Sequence, residues 1–263
     1  MNRSTCLPGK RLTSALIMAL FSLAFASSAD AELPLPVAPS FRVETDIYEG
    51  DTTTPQTRHL ILFDSGVVYD LPVDMGPTMT VFDVPRGRVV LLHKTSRVKT
   101  LITTDTLIQM TAQLRAAAES QGASSKLGID AKIVPASEAY SYTVAFGDSR
   151  YDATTQPVNN TKIAAEFASF TAWASRLNIA RHVGSPPFAR IALAEQMAAE
   201  ERLPRQVKLQ VKLGVRGGFK TRTFRSEHLL VERLSDLDRK KISDVGGMMA
   251  TFAEVDFAEF PSD

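Results

Sequence analysis

Sulfur chemistry has almost no place in this chain. Of its 263 residues one is cysteine, Cys6. No intramolecular disulfide can form, and removal of the amino-terminal segment would leave no thiol to ligate a metal or act as a nucleophile. Four histidines, His59, His93, His182 and His228, are dispersed along the chain. They show no His-x-x-x-His or His-Glu-x-x-His spacing and give no linear metal site. Gly-x-Gly-x-x-Gly and phosphate-loop patterns are missing too, and with them the backbone cradle of a nucleotide. Neither a metal nor a cofactor is expected. Charge of one sign is also lacking: 30 basic residues stand against 29 acidic ones, which argues against a nucleic-acid partner. No apolar run reaches the roughly 20 residues of a membrane span. No Gly/Ser-rich or charged linker divides the chain, so one domain is expected.

What is present begins with an address. Arg3, Lys10 and Arg11 precede an apolar run over residues 16–26 and the small-residue sequence Ser28-Ala29-Asp30-Ala31. That is the layout of a cleavable secretory signal, cut after Ala31. A lipid-anchored protein would carry a cysteine directly after the small residues, whereas Cys6 lies upstream of them. A periplasmic or secreted protein without a lipid anchor is expected, with residues 1–31 removed. Pro34, Pro36 and Pro39 make residues 32–40 an extended leader, and residues 41–263 form the domain.

The domain starts with strands. Residues 41–48 alternate, placing Phe41, Val43 and Ile47 on one face. Residues 59–63 and 67–71 flank Asp64-Ser65-Gly66, a hairpin signal, and residues 79–83 and 88–93 repeat the arrangement around Pro85-Arg86-Gly87. Leu107, Met110, Leu114 and Ala118 then recur at helical spacing in a helix from Thr104 to about Ser120 that would lie on the sheet. Residues 139–146 read as a strand. Asn160 or Thr161 caps a helix presenting Ile163, Phe167, Phe170, Trp173 or Ala174, and Leu177. A second helix opens at Pro186-Pro187 and stops before Pro204. Residues 206–213 alternate strictly, and Gly217-Gly218 turns the chain into a partner strand over about 221–233. Finally, Ser235 and Asp238 form a capping-box variant opening a helix with Leu237, Ile242, Val245, Met249 and Phe252 on one side. Gly246-Gly247 interrupts it and marks an expected close packing contact.

The block Leu62-Phe-Asp-Ser-Gly-Val-Val-Tyr69-Asp-Leu, followed by Thr80-Val-Phe-Asp83 and Gly87-Arg-Val-Val-Leu, resembles the periplasmic lipoprotein-carrier (LolA-like) superfamily. The resemblance covers the first half of the chain and the late hairpin. It implies an α+β fold, a curved antiparallel β half-barrel with helices packed over its concave face, and a noncatalytic protein carrying a lipid or acylated protein. Phe41, Val43, Leu60, Leu62, Tyr69 and Phe82 would then touch the apolar ligand. A charge at Leu62 would abolish its uptake. Two features depart from a simple carrier and mark a diverged member: the helical pair spanning residues 161–202 is long, and the late hairpin is basic.

That hairpin supplies the competing expectation. Lys208, Lys212, Lys220 and Arg222 belong to a stretch with no acidic residue between Arg205 and Glu227. They would offer a positive strip to an anionic envelope component, making the protein an interaction module with a filled core. Other readings are weaker. Phe146-Gly-Asp-Ser149 resembles the nucleophile block of GDS-type esterases, but it lies mid-chain and no histidine has an aspartate three residues before it. Trp173 with Phe167 and Phe170 suits core packing at helical spacing better than a platform for sugars.

Overall fold

The computed structural model describes residues 38–74, 76–215 and 218–261. The expected export segment and the leader through residue 37 lie outside the described residues, as do Arg216 and Gly217 of the late turn. The alternation beginning at Phe41 forms β1 (Phe41–Glu49), whose first five residues alternate buried and half-buried, as a strand with one face in a core must. Five strands follow as an antiparallel meander: β2 (Thr57–Asp64), β3 (Val67–Pro72), β4 (Thr78–Asp83), β5 (Arg88–His93) and β6 (Val98–Thr103). The β2–β3 loop is Ser65-Gly66, with φ of 54° and 79°. Two positive φ values give the turn a twist that matches the flanking strands, and glycine adopts one without strain.

Helix α1 (Thr104–Ser120) leaves β6 without a loop, its first turn capped by the Thr103 hydroxyl, which accepts from the Thr106 amide. After α2 (Ser124–Leu127) come β7 (Ile133–Pro135), β8 (Ser141–Phe146) and β9 (Ser149–Pro157). Asn160 caps α3 (Thr161–Ala180) by accepting from the Lys162 amide, and α4 (Pro187–Ala199) opens on proline. A long hairpin, β10 (Arg202–Val215) and β11 (Gly218–Val231), leads to α5 (Asp236–Thr251) and the short β12 (Ala253–Glu254). The capping box at the start of α5 is formed by Ser235 and Asp238 as the sequence predicts.

Among the described residues twelve strands join one open sheet in the order β12-β6-β5-β4-β3-β2-β1-β11-β10-β9-β8-β7. Every neighbour is antiparallel except β12, which runs parallel to β6. The fold is α+β, with five α-helices among the described residues. Strand β10 begins earlier than its alternation suggests and contains Pro204, because the register shifts between Pro204 and Gln206. A bulge tolerates proline where a regular ladder would not.

All six residues of β4 are buried, and five of six in β5. A strand buried on both sides needs cover on both faces. On one face Phe41, Val43, Ile61, Phe63, Phe82, Val89 and Leu91 pack with Leu107 of α1 and Ile163, Phe167, Phe170 and Leu177 of α3. On the other, Leu60, Leu62, Leu71, Met79, Val81, Val90 and Leu92 pack with Leu234 and Val245, with half-buried Ile242, Met248 and Met249 of α5, and with Phe252 just after it. Helix α5 therefore lies on the opposite face from α1 and α3, not beside them as expected. Two further expectations for α5 fail. Leu237 is 62% exposed, and a Cβ on Gly246 or Gly247 would meet nothing within 4 Å, so these glycines mark no close contact. A third cluster joins Tyr142, Val144, Phe146, Tyr151 and Val207 to Ala189, Leu193 and Met197 of α4.

Candidate functional site

The face covered by α3 changes character partway along the strands. Val43 and Ile61 are apolar cross-strand partners, but one step further Thr45 stands opposite His59 of β2 and His228 of β11. Thr45 and Ser226 hydroxyls lie 3.0 Å from Nδ1 and Nε2 of His228 respectively. Neutral imidazole has one donor and one acceptor nitrogen, and a hydroxyl can serve either. His59 Nδ1 lies 2.6 Å from an Asp70 carboxylate oxygen. Above this polar row, between the sheet and α3 with the start of α4, is a cavity of about 370 Å³. Its walls include Ile47, Ile61, Phe167, Phe170 and Ala174 as well as the polar row, and Arg190 of α4.

Arg190 is the unusual member. Its Nη1 is buried and has no hydrogen-bond partner among the described residues. Burial pushes its pKa down and the nearby Tyr151 opposes that shift. It remains a cation, as arginine does in proteins. Burial, with the positive field of Arg190 in second place, lowers the His228 pKa to about 3. Tyr151 has its phenol pKa raised by burial, although Arg190 and a hydrogen bond with Ser185 pull the other way.

The His228 shift carries a sign. The folded state holds this ring neutral, whereas the unfolded chain protonates it below its ordinary value of 6.5. Its contribution to stability is complete above pH 6.5 and is lost as pH falls toward 3, at up to about 1.4 kcal/mol per unit. Urea melts at pH 6.5 and 5 should show a smaller acid loss for His228→Gln than for the native chain, by about 2 kcal/mol. Equal losses in both proteins would refute the assignment.

None of the six apolar positions expected to touch a ligand lines this cavity. Phe41, Val43 and Phe82 are at most 1% exposed and fill the core under α3. Leu60 and Leu62 have the opposite strand parity from Ile61 and Phe63 and face α5; half-buried Tyr69, the cross-strand partner of Leu62, packs there too. The inward positions are instead Ile47, His59, Ile61 and Asp70. Sequence reasoning missed the polar members because it tracked apolar periodicity. The available signal was a polar residue at an apolar-parity position, as with Thr45 between Val43 and Ile47, or Arg190 in the apolar start of α4. A buried polar group is the informative observation.

The basic hairpin is also divided. Lys208 and Lys212 pair with Arg225 and Thr221 on one face, while Lys220 and Arg222 pair with Leu213 and Val211 on the other. Arg222 is bound to Glu49 at 2.6 Å and Lys208 stands across from Asp152, so the four cations form no single strip. The Phe146-Gly-Asp-Ser149 block is a two-residue hairpin loop between β8 and β9. Gly147 has φ 47° and a Cβ there would come within 2.7 Å of the Lys126 carbonyl oxygen, a steric reason for glycine. Among the described residues no helix is long and apolar enough to cross a membrane. Compared with known protein families and with curated proteins, the chain matches none of them.

Proposed function

We propose that this is an exported, noncatalytic protein that carries an apolar ligand between its sheet and helices, in a curved half-barrel like that of the periplasmic lipoprotein carriers. The observation that carries the reading is the cavity of about 370 Å³ walled by Ile47, Ile61, Phe167, Phe170 and Ala174. It falls near the lower end of the roughly 300–1,000 Å³ usual for ligand sites, a size for one small ligand or a single acyl chain. Elsewhere under α3 the rings of Phe41, Phe63 and Phe167 pack into the core, and a separate space of about 280 Å³ lies beside Phe82, Phe170 and Trp173. Two features favour carriage over catalysis. His228, with its pKa near 3, is a weak base, and its ring nitrogens meet hydroxyls rather than a carboxylate. General bases work best with a pKa near the operating pH.

Mass spectrometry of organic extracts from exported protein, purified without detergent beside an unrelated exported protein, tests the reading. A near-stoichiometric apolar compound confined to this protein is the expected result. If extracts of the two proteins match, carriage fails and the filled-core interaction module takes its place, with half-buried Lys208 and exposed Lys212 as its cations.

A further inference from the structure

We propose that Arg190 and the amino end of α4 form the head-group site for a single-chain amphiphile ending in an oxyanion, carboxylate or phosphate, whose chain lies against Ile61, Phe167 and Phe170. The inference rests on the carrier reading and names its ligand class.

Four observations converge on it. Arg190 lines the cavity with Nη1 buried and unpartnered among the described residues. Arg190 is half-buried as a residue but its Nη1 is shut off from water, and the cost of desolvating that N–H group is recovered when an anion completes its hydrogen bonds. The carboxylate that also lines the cavity, Asp70, is engaged by His59 at 2.6 Å, and among the described residues no ion pair to Arg190 is formed. Second, Pro186 at the cap position of α4 supplies no side-chain acceptor to the first turn. The free amides of that turn and the positive end of the helix dipole favour an anion beside Arg190. Third, the remaining polar groups nearby are neutral donors or amphoteric: the Tyr151 phenol, which burial keeps protonated, Ser185, and neutral His228. None neutralises the arginine; the Tyr151 phenol and the Ser185 hydroxyl can donate to an oxyanion, while both nitrogens of His228 are taken by Thr45 and Ser226. Fourth, apolar walls meet this polar end in one cavity, so the space suits a molecule with one charged end and one chain. A planar guanidinium fork matches carboxylate and phosphate geometry, which a lysine does not.

The test is calorimetric titration of the full mature chain with decanoate, decyl phosphate, decanol and inorganic phosphate, using the native protein, Arg190→Met and Arg190→Lys. In the native protein decanoate or decyl phosphate should bind at least about tenfold tighter than decanol. Arg190→Met should remove that advantage and leave decanol within about twofold, with Arg190→Lys in between. Circular dichroism and thermal melting accompany the titrations. Arg190→Met should melt at a higher temperature than the native protein without ligand, as expected when an uncompensated buried charge is removed. Equal affinity of the native protein for decanol and decanoate overturns the head-group site while leaving carriage intact. Inorganic phosphate binding as tightly as decyl phosphate overturns the amphiphile assignment. Failure of every chain-bearing probe to bind overturns carriage and the head-group site together.

Discussion

Phe63→Ala is expected to lower the free energy of unfolding by about 3–5 kcal/mol. The Phe63 ring stacks on Phe41 at 4.0 Å between centroids and meets Phe170 edge-on at 5.8 Å; Phe170 in turn meets Phe82 edge-on at 5.4 Å. These rings join β1, β2 and β4 to α3. Aromatic pairs add about 0.5–1.5 kcal/mol each beyond the area they bury. Truncation therefore removes a buried side chain and its ring contacts, and it opens a void that rigid strands cannot close. Against a typical total of roughly 5–15 kcal/mol, the loss is a large share. Urea denaturation measures it, and a cost under about 1 kcal/mol would mean that this core is loosely packed.

Val81→Asp is expected to cost about 4 kcal/mol or more at neutral pH, through the α5 face instead. Val81 is 1% exposed, and its cross-strand partners are Tyr69 and Val90. A carboxylate there has no cation beside it in the ladder. The contrast is Leu62, also under α5, whose cross-strand partner Arg42 already reaches Asp238 at 3.2 Å. A Glu at Leu62 would gain a counterion, so that substitution probes the docking of α5 and says little about the cavity. The penalty at Val81→Asp should shrink relative to the native protein as pH falls and the new carboxyl takes up a proton. Urea melts at pH 7 and pH 5 read both quantities; a penalty that is small and independent of pH would place Val81 outside a dry interior.

The meander was legible because its loops are short and its strands alternate. The clearest cases are the pair around Ser65-Gly66 and the run from Val207 to Leu213. Helix starts were legible where a side chain does the capping, as at Asn160 and Ser235. Four strands escaped for physical reasons. β6 passes into α1 with no turn residue between them, β7 is a three-residue edge strand ending in proline, β9 is largely polar because much of it is half-exposed, and β12 consists of two residues that act only as an addition to β6. Alternation also left open which face each parity would meet. Leu60 and Leu62 look as suited to a core as Ile61 and Phe63, and only the placement of α5 gives both sets a core to enter. The site was the least legible part because its members come from β1, β2, β3, β9, β10, β11, α3 and α4. What brings Arg190 over Thr45 and His228 is the return of the late hairpin beside β1, a relation between distant segments.

That return governs the order in which the molecule can be assembled. Strand β1 occupies the middle of the sheet, with Arg42 paired to Leu62 on one side and to Val231 on the other. The meander from β1 to β6 can form from neighbouring segments, but the seam between β1 and β11 joins residues from nearly opposite ends of the domain. Closing it requires a long loop to be gathered, an entropic toll that places such topologies among slow folders, on a scale of roughly milliseconds to seconds. Until Val231 has been synthesised, the β1 edge of the meander lacks its full partner, and the cavity under α3 and α4 lacks its Ser226 and His228 wall. Under the proposed carriage, ligand capture is a late event in the life of each chain.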